Sequence, residues 1–164
     1  MVREKSDERD GRIKKIDMII KTKDGVYTPE KLTTLPPNNI FVFGSSLVGK
    51  RRAGAALDAA MYFGAEKGVG EGMTGQSYAL PTIDWQHRVM FGKQIRNRFI
   101  TFFKYAWSHP ELTFWMTKVG CGIAGYETYE IKRIMGEAMR ITPFCGGPLP
   151  VDNVHFPKEF TDQF

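Results

Sequence analysis

The stretch IFVFGSSLVGKRRAGAALDAA, residues 40–60, constrains this chain more than any other. Ile40 to Phe43 form a short apolar run of the kind found in a strand buried on both faces. Ala53 to Tyr62 are mostly small or apolar residues that suit a helix packed closely on a sheet, and Gly64 is placed to close it. A strand running through a glycine-bearing loop into a helix is the unit of α/β layers. It is also a place to hold phosphate, because a helix N-terminus offers unpaired N–H groups and a partial positive charge, and glycine lets a ligand approach the backbone. A second loop, VGCGIAGY at Val119 to Tyr126, repeats the arrangement after another apolar run. Two such loops on one sheet could clamp a nucleotide diphosphate.

The length of 164 residues suits one domain. Residues 1–12 alternate charges without apolar periodicity and read as a flexible tail, leaving residues 13–164 as a single domain. Strands are expected at Ile13 to Lys23, Ile40 to Phe43, Gln76 to Pro81 (ended by the proline), Leu112 to Val119 and Val151 to Phe156. Gly68 to Gly75 has no clear period and reads as a loop. From Val89 to Ser108 apolar residues recur with helical spacing at Phe91, Ile95, Phe99, Phe102 and Ala106, and Glu127 to Arg140 is a second amphipathic helix with Ile131, Ile134, Met135 and Ala138 facing inward. The order of elements predicts a three-layer α/β/α fold with a mixed central sheet and a ligand site at the strand C-terminal ends.

Hydrophobic content of 42% and aromatic content of 13% fit a globular chain. No apolar run is long enough to span a bilayer, and the charged first residues lack the apolar stretch of a signal peptide, so the expectation is a cytoplasmic protein with no membrane partner. Cys121 and Cys145 do not make a disulfide framework, and with His87, His109 and His155 scattered there is no ligand spacing for a metal. No cofactor is called for. The net charge of +5 permits an anionic partner. Between Asp84 and Glu111 there is no acid, while Arg88, Lys93, Arg96, Arg98 and Lys104 fall in the interval. That stripe reads either as a nucleic-acid face or as the solvated side of an amphipathic helix.

Gly44 to Lys50, GSSLVGK, matches most of a Walker A loop, but Arg51 stands where a Ser or Thr would bind magnesium. The alternative starts the helix at Ala53-Gly54-Ala55, with Arg51 or Arg52 supplying charge. Asp84 is the candidate general base, against its reading as a cap or surface carboxylate. Cys121 has no adjacent histidine to activate it and reads as a small packed residue. Tyr126 could stack on a ribose or base; Trp107, Phe114 and Trp115 read as core; Trp85, in a polar context, could cap an adenine or cover a sheet edge.

The blocks FVFGSSLVGK, RAGAALDAAMYFGA, GQSYALPT and HPELTFWMTKVGCGIAGY resemble those of a group of macrodomain-like proteins from phages and bacteria, which carry FGSNLAG, GAGAA, IPTK and GCGLAGY in the same order. The resemblance covers about residues 25–156 and extends, more distantly, to the macrodomain branch of the terminal ADP-ribose protein glycohydrolase. It implies a macrodomain-like fold that binds ADP-ribose or a related NAD-derived nucleotide. It further implies that Gly44, Ser45 and Ser46 lie near a ribose, that Ala53, Gly54 and Ala55 line a first phosphate loop, and that Gly120, Cys121, Gly122, Ile123, Ala124, Gly125 and Tyr126 form a second. In the glycohydrolase branch a lysine follows the strand matching YALPT and an aspartate lies in the loop matching GCGIAG; here Ile83 and Ala124 stand at those places.

Three functions are therefore in play: a binder of ADP-ribose or a related nucleotide, for instance in conflict between phage and host; an ADP-ribosyl hydrolase or nucleotide phosphoesterase on the same fold; and a nucleic-acid-binding protein that uses the basic helix at residues 88–104.

Overall fold

The computed structural model describes residues 20–141, 143–144, 147–148 and 151–162; the tail at residues 1–12, most of the strand expected from Ile13, and Cys145 lie outside them. The chain runs β1 (Asn39–Ser46), α1 (Gly54–Tyr62), β2 (Gly72–Thr74), β3 (Ser77–Ile83), α2 (Gly92–Ser108), β4 (Thr113–Met116), α3 (Thr128–Ile141), β5 (Pro143–Phe144), β6 (Gly147–Pro148) and β7 (Val154–His155). Five strands make one mixed sheet in the order β2-β3-β1-β4-β7. β1 is parallel to β3 and to β4, β4 is parallel to β7, and only β2 runs antiparallel, against β3. β5 and β6 form a separate two-stranded ribbon.

Alternation along β1 divides the interior. Ile40 and Val42 point into the larger core, where Tyr78 and Leu80 of β3 and Phe114 and Met116 of β4 meet α2 and α3. Phe41 and Phe43 point the other way, into a smaller core with Ala79, Ala59 of α1, Phe63 and Ala65. Successive strand residues face opposite sides, so a strand buried on both needs a continuous apolar run, and IFVF provides it. Helices thus cover both faces of the sheet, α1 on one and the α2–α3 pair on the other.

The amphipathic helices bury the expected residues, with Phe103 and Met139 added. Phe91 departs from expectation. It is 78% exposed and is the N-cap of α2, its N–H donating to Gln94 Oε1 at 2.7 Å. The chain is still tied to β3 one residue earlier, through Met90 N–H to the Thr82 carbonyl at 2.8 Å, so the helix cannot begin sooner.

Other boundaries moved for equally local reasons. β3 continues past Pro81 to Ile83 because β2 pairs only as far as Ala79, leaving that side of Pro81 without a strand that would need its missing N–H. The expected loop at Gly68 to Gly75 contains β2, too short to show a period. The described part of the first expected strand is not a strand: Lys23–Gly25 is a 3-10 turn. β4 is shorter than expected and buries alternate residues, Phe114 and Met116. Trp115 is half-buried, stacked on His155 with ring centroids 3.7 Å apart, its indole N–H donating to Asn39 Oδ1 at 2.8 Å.

His155 is buried, with Nδ1 2.8 Å from the Val26 carbonyl. Burial lowers its pKa below the ordinary 6.5, outweighing the Val26 bond, which raises it. The unfolded chain therefore takes up this proton first as pH falls. Stability contributed by the neutral ring is fully present above pH 6.5 and is lost as pH drops from there through the folded value. We expect the melting temperature to fall between pH 7.5 and 5.5, and to fall less in His155→Gln; equal slopes in a thermal melt series would assign the loss to other groups.

Candidate functional site

The C-terminal ends of β1, β3 and β4 open into a cleft of about 810 Å³, within the range of small-molecule sites. Its walls come from both sides of the sheet: the start of α1 on one, and the loop from β4 into α3 on the other. Gly44, Ser45, Ser46, Ala53, Gly54, Ala55, Gly120, Cys121, Gly122, Ile123, Ala124 and Tyr126 all line it. Of the expected binding residues only Gly125 does not.

The first wall is a helix start without a cap. Ala53 is the N-cap of α1 and has no side-chain oxygen to offer; the first intrahelical bond is Leu57 N–H to the Ala53 carbonyl at 3.2 Å. The N–H groups of Gly54, Ala55 and Ala56 consequently find no acceptor among the described residues. They carry the positive end of the helix dipole into the cleft.

The second wall is a double turn. Cys121 N–H bonds the Lys118 carbonyl at 3.1 Å, Gly125 N–H the Gly122 carbonyl at 3.0 Å and Tyr126 N–H the Gly120 carbonyl at 2.9 Å. Gly122, Ile123 and Ala124 lie at the tip with their N–H groups unaccepted among the described residues. Successive free amides of this kind form an anion-binding concavity. The glycines here have different duties. Gly120 has φ +84°, and a Cβ on it would lie 2.7 Å from Ile131 Cδ1, so the fold requires it. Gly125, at φ +83°, makes the turn back toward α3. Gly122 has nothing within 4 Å of where its Cβ would be, so what it leaves free is cleft space. Tyr126 anchors the loop by donating its hydroxyl to the Met90 carbonyl at 2.6 Å.

The GSSLVGK segment is not a Walker loop. Gly44 to Ser46 belong to β1 itself, and α1 begins only at Gly54. A Cβ on Gly49 would lie 2.5 Å from the backbone of Gly68, so this loop packs against its neighbour and leaves no room there for a ligand. Arg51 is 5% exposed and lies outside the cleft. Its guanidinium donates to Ser45 Oγ, to the Glu66 carbonyl at 3.1 Å and to the Val69 carbonyl, and lies 4.8 Å from the centre of the Phe43 ring. Of the two arginines considered as the source of charge, Arg52 is the one that reaches the cleft, with Lys50 beside it; neither makes an ion pair among the described residues.

The candidate catalytic residue is placed elsewhere. Asp84 does not line the cleft. Its Oδ1 accepts the N–H groups of Gln86 and Arg88, both at 2.9 Å, and Oδ2 lies 3.5 Å from Arg88 Nε. The Arg88 backbone bond leads the causes that hold its carboxyl below the usual range. Cys121 lies in the cleft, but desolvation pushes its thiol up to about 11, the opposite of an activated nucleophile. Lys118 also lines the cleft and is held 3.5 Å from Glu30 Oε2.

Sequence reasoning missed Thr82, His87 and Thr117 as lining residues. Thr117 follows the last residue of β4 and Thr82 is the penultimate residue of β3, so the ends of strands parallel to β1 were the signal. Among the described residues no cluster of His, Cys, Asp or Glu could hold a metal ion, and no helix is long and apolar enough to cross a membrane.

No protein-family model, curated protein or solved structure matches the chain. The site must therefore be read from its own geometry.

The two glycines of the second loop should separate by effect. Gly120→Ala is expected to cost about 1–3 kcal/mol through its φ of +84°, with Ile131 Cδ1 also having to yield, and Gly122→Ala to stay within about 0.5 kcal/mol of wild type. Urea denaturation of both variants measures this; equal losses would contradict the division of duties.

Proposed function

We propose that the cleft binds ADP-ribose or a related NAD-derived nucleotide, with the diphosphate held between the two loops, on a fold of macrodomain type. One observation carries the reading: unaccepted N–H groups, Gly54 to Ala56 on one wall and Gly122 to Ala124 on the other, line the same cleft from opposite sides of the sheet. Fixed amides suit a diphosphate because they are already aligned before it arrives. Lys50 and Arg52 add charge at the rim, and Tyr126 offers ring surface to a ribose or base.

Binding has more support than turnover. Hydrolysis of an ADP-ribosyl bond, or phosphoester cleavage, would need an activated nucleophile or base beside the ligand. Asp84 is occupied by its own turn and Cys121 is held protonated. The basic helix has little support as a nucleic-acid face: Arg98 bonds Glu71 at 2.5 Å, and Arg96 is partly buried.

Isothermal titration with ADP-ribose, with ADP, AMP and NAD as comparisons, tests the reading. Micromolar affinity for the ADP-ribose side of that series is expected, lost in Gly122→Glu because the carboxylate would take the phosphate position. Gly54 has φ +60°, so a side chain there is strained whatever the space; Ala55→Glu is the better probe of the first wall. Gly122→Glu should melt near the wild-type temperature; Ala55→Glu replaces a half-buried residue packed against the smaller core, so its affinity is read on protein shown to melt cooperatively. Wild-type affinity in either variant removes that wall from the site, and the absence of heat with every nucleotide overturns the proposal.

A further inference from the structure

The chain between β3 and α2 is a pinned hairpin at the mouth of the cleft. Asp84 N–H bonds the Arg88 carbonyl at 2.8 Å, His87 N–H bonds the Asp84 carbonyl at 3.1 Å, and the Asp84 carboxylate accepts the Gln86 and Arg88 amides. Its base is fixed to the rest of the fold by Leu47 N–H to the Ile83 carbonyl at 2.9 Å and by Tyr126 to the Met90 carbonyl. Ile83 and His87 line the cleft. Trp85, between them in sequence, does not line it and is 62% exposed.

An exposed tryptophan held on a rigid turn is ready to stack and loses little freedom in doing so. Phe91 follows at 78% exposure, with Val89 between. Lys93, in the first turn of α2, and Lys50 and Arg52, in the cleft lining, carry positive charge alongside; Arg88 on the hairpin is paired with Asp84, and the cleft lining also holds Glu30, Asp58 and Glu127. Lys93 makes no ion pair among the described residues, and the acid on the hairpin, Asp84, is spent on its own turn. Exposed rings that alternate with cations along residues 85–93 complement a flexible polyanion with unstacked bases; they do not suit a duplex, whose bases are already stacked.

We propose that the hairpin surface, Trp85 with Phe91, Arg88 and Lys93, docks single-stranded nucleic acid whose chain leads into the cleft. The placement of one nucleotide in the cleft rests on the function proposed above; the stacking surface is argued from the hairpin alone. The basic interval then acts through its N-terminal end, where exposed rings accompany the charge, and the α2 helix beyond it is not required.

Fluorescence anisotropy of a short labelled oligothymidylate at low salt, against the same length of duplex, tests this. Binding should favour the single strand, weaken with salt, and fall about fivefold to a hundredfold in Trp85→Ala, with Trp85→Phe retaining most of it. Lys93→Glu should weaken it further. Equal affinity for duplex, indifference to Trp85→Ala, or no binding at low salt would overturn the proposal. Trp85→Ala should bind ADP-ribose as wild type does and melt at the wild-type temperature. Oligonucleotide binding that depends on Trp85 in a protein that ignores ADP-ribose would sink the mononucleotide reading and leave the stacking surface standing; the reverse pattern would sink the stacking surface alone.

Discussion

Everything in this fold depends on the burial of β1 from both sides while it is hydrogen-bonded on both edges. Its register with β3, from Phe41 opposite Ser77 to Gly44 opposite Leu80, and with β4, from Asn39 opposite Thr113 to Val42 opposite Met116, fixes where all three strands stop. A slip of one residue would exchange Ile40 and Val42 for Phe41 and Phe43 between two cores of different size. The larger core takes the rings and branched chains of two long helices. The smaller one takes Phe43, three alanines (Ala59, Ala65 and Ala79) and the stacked Phe41 and Phe63 rings, 4.4 Å apart. The strand ends are thus set by packing at a distance from the cleft they frame.

The cleft itself is defined by groups left without partners. A serine or aspartate in place of Ala53 would cap α1 and consume one of its free amides. A longer side chain at Gly122 would fill the space in front of the second loop. By contrast, polar groups around the cleft that could be mobile are tied down: Ser45 donates to the Ser46 carbonyl at 2.8 Å and accepts from Arg51. Arg51 is spent on holding two loops together. The result is a concave surface whose donors are fixed before any anion arrives, and fixed donors are worth more to a charged group than donors that must be gathered.

The sequence revealed the walls of this site better than its floor. The α1 start and the Gly120–Tyr126 loop were legible because runs of glycine and alanine at a strand end leave the backbone bare, with no side chains to cover it. Both amphipathic helices were legible from period alone, since Ile95, Phe99 and Phe102, or Ile131, Ile134 and Met135, recur as one face. Local competition was harder to read. Phe91 kept helical spacing with Ile95, yet the Met90 bond to β3 withheld it from the helix. Arg51 and Arg52 are identical in sequence, and only the tertiary position of the Glu66 and Val69 carbonyls decides which is buried. Asp84 as a base and Asp84 as the clasp of its own turn are the same residue until the hairpin is seen. The macrodomain-like resemblance pointed to the same two loops, and its implications for ligand and chemistry remain proposals.

The way the sheet is closed has a kinetic consequence. β7 completes the edge beside β4, and the segment leading to β1 is laid against it: Thr28 N–H bonds the Phe156 carbonyl at 2.9 Å, Phe156 N–H bonds Thr22 Oγ1 at 2.9 Å, and Ile20 and Asp162 bond each other through Ile20 N–H to Oδ2 and Asp162 N–H to the Ile20 carbonyl. Each of these contacts closes a loop of well over a hundred residues, which costs entropy that no local contact repays in advance. Synthesised from its N-terminus, the chain holds residues 20–28 without their partners until residues 153–162 have been made. The β1, β3 and β4 core, and with it the cleft, can form while that last seam is still open.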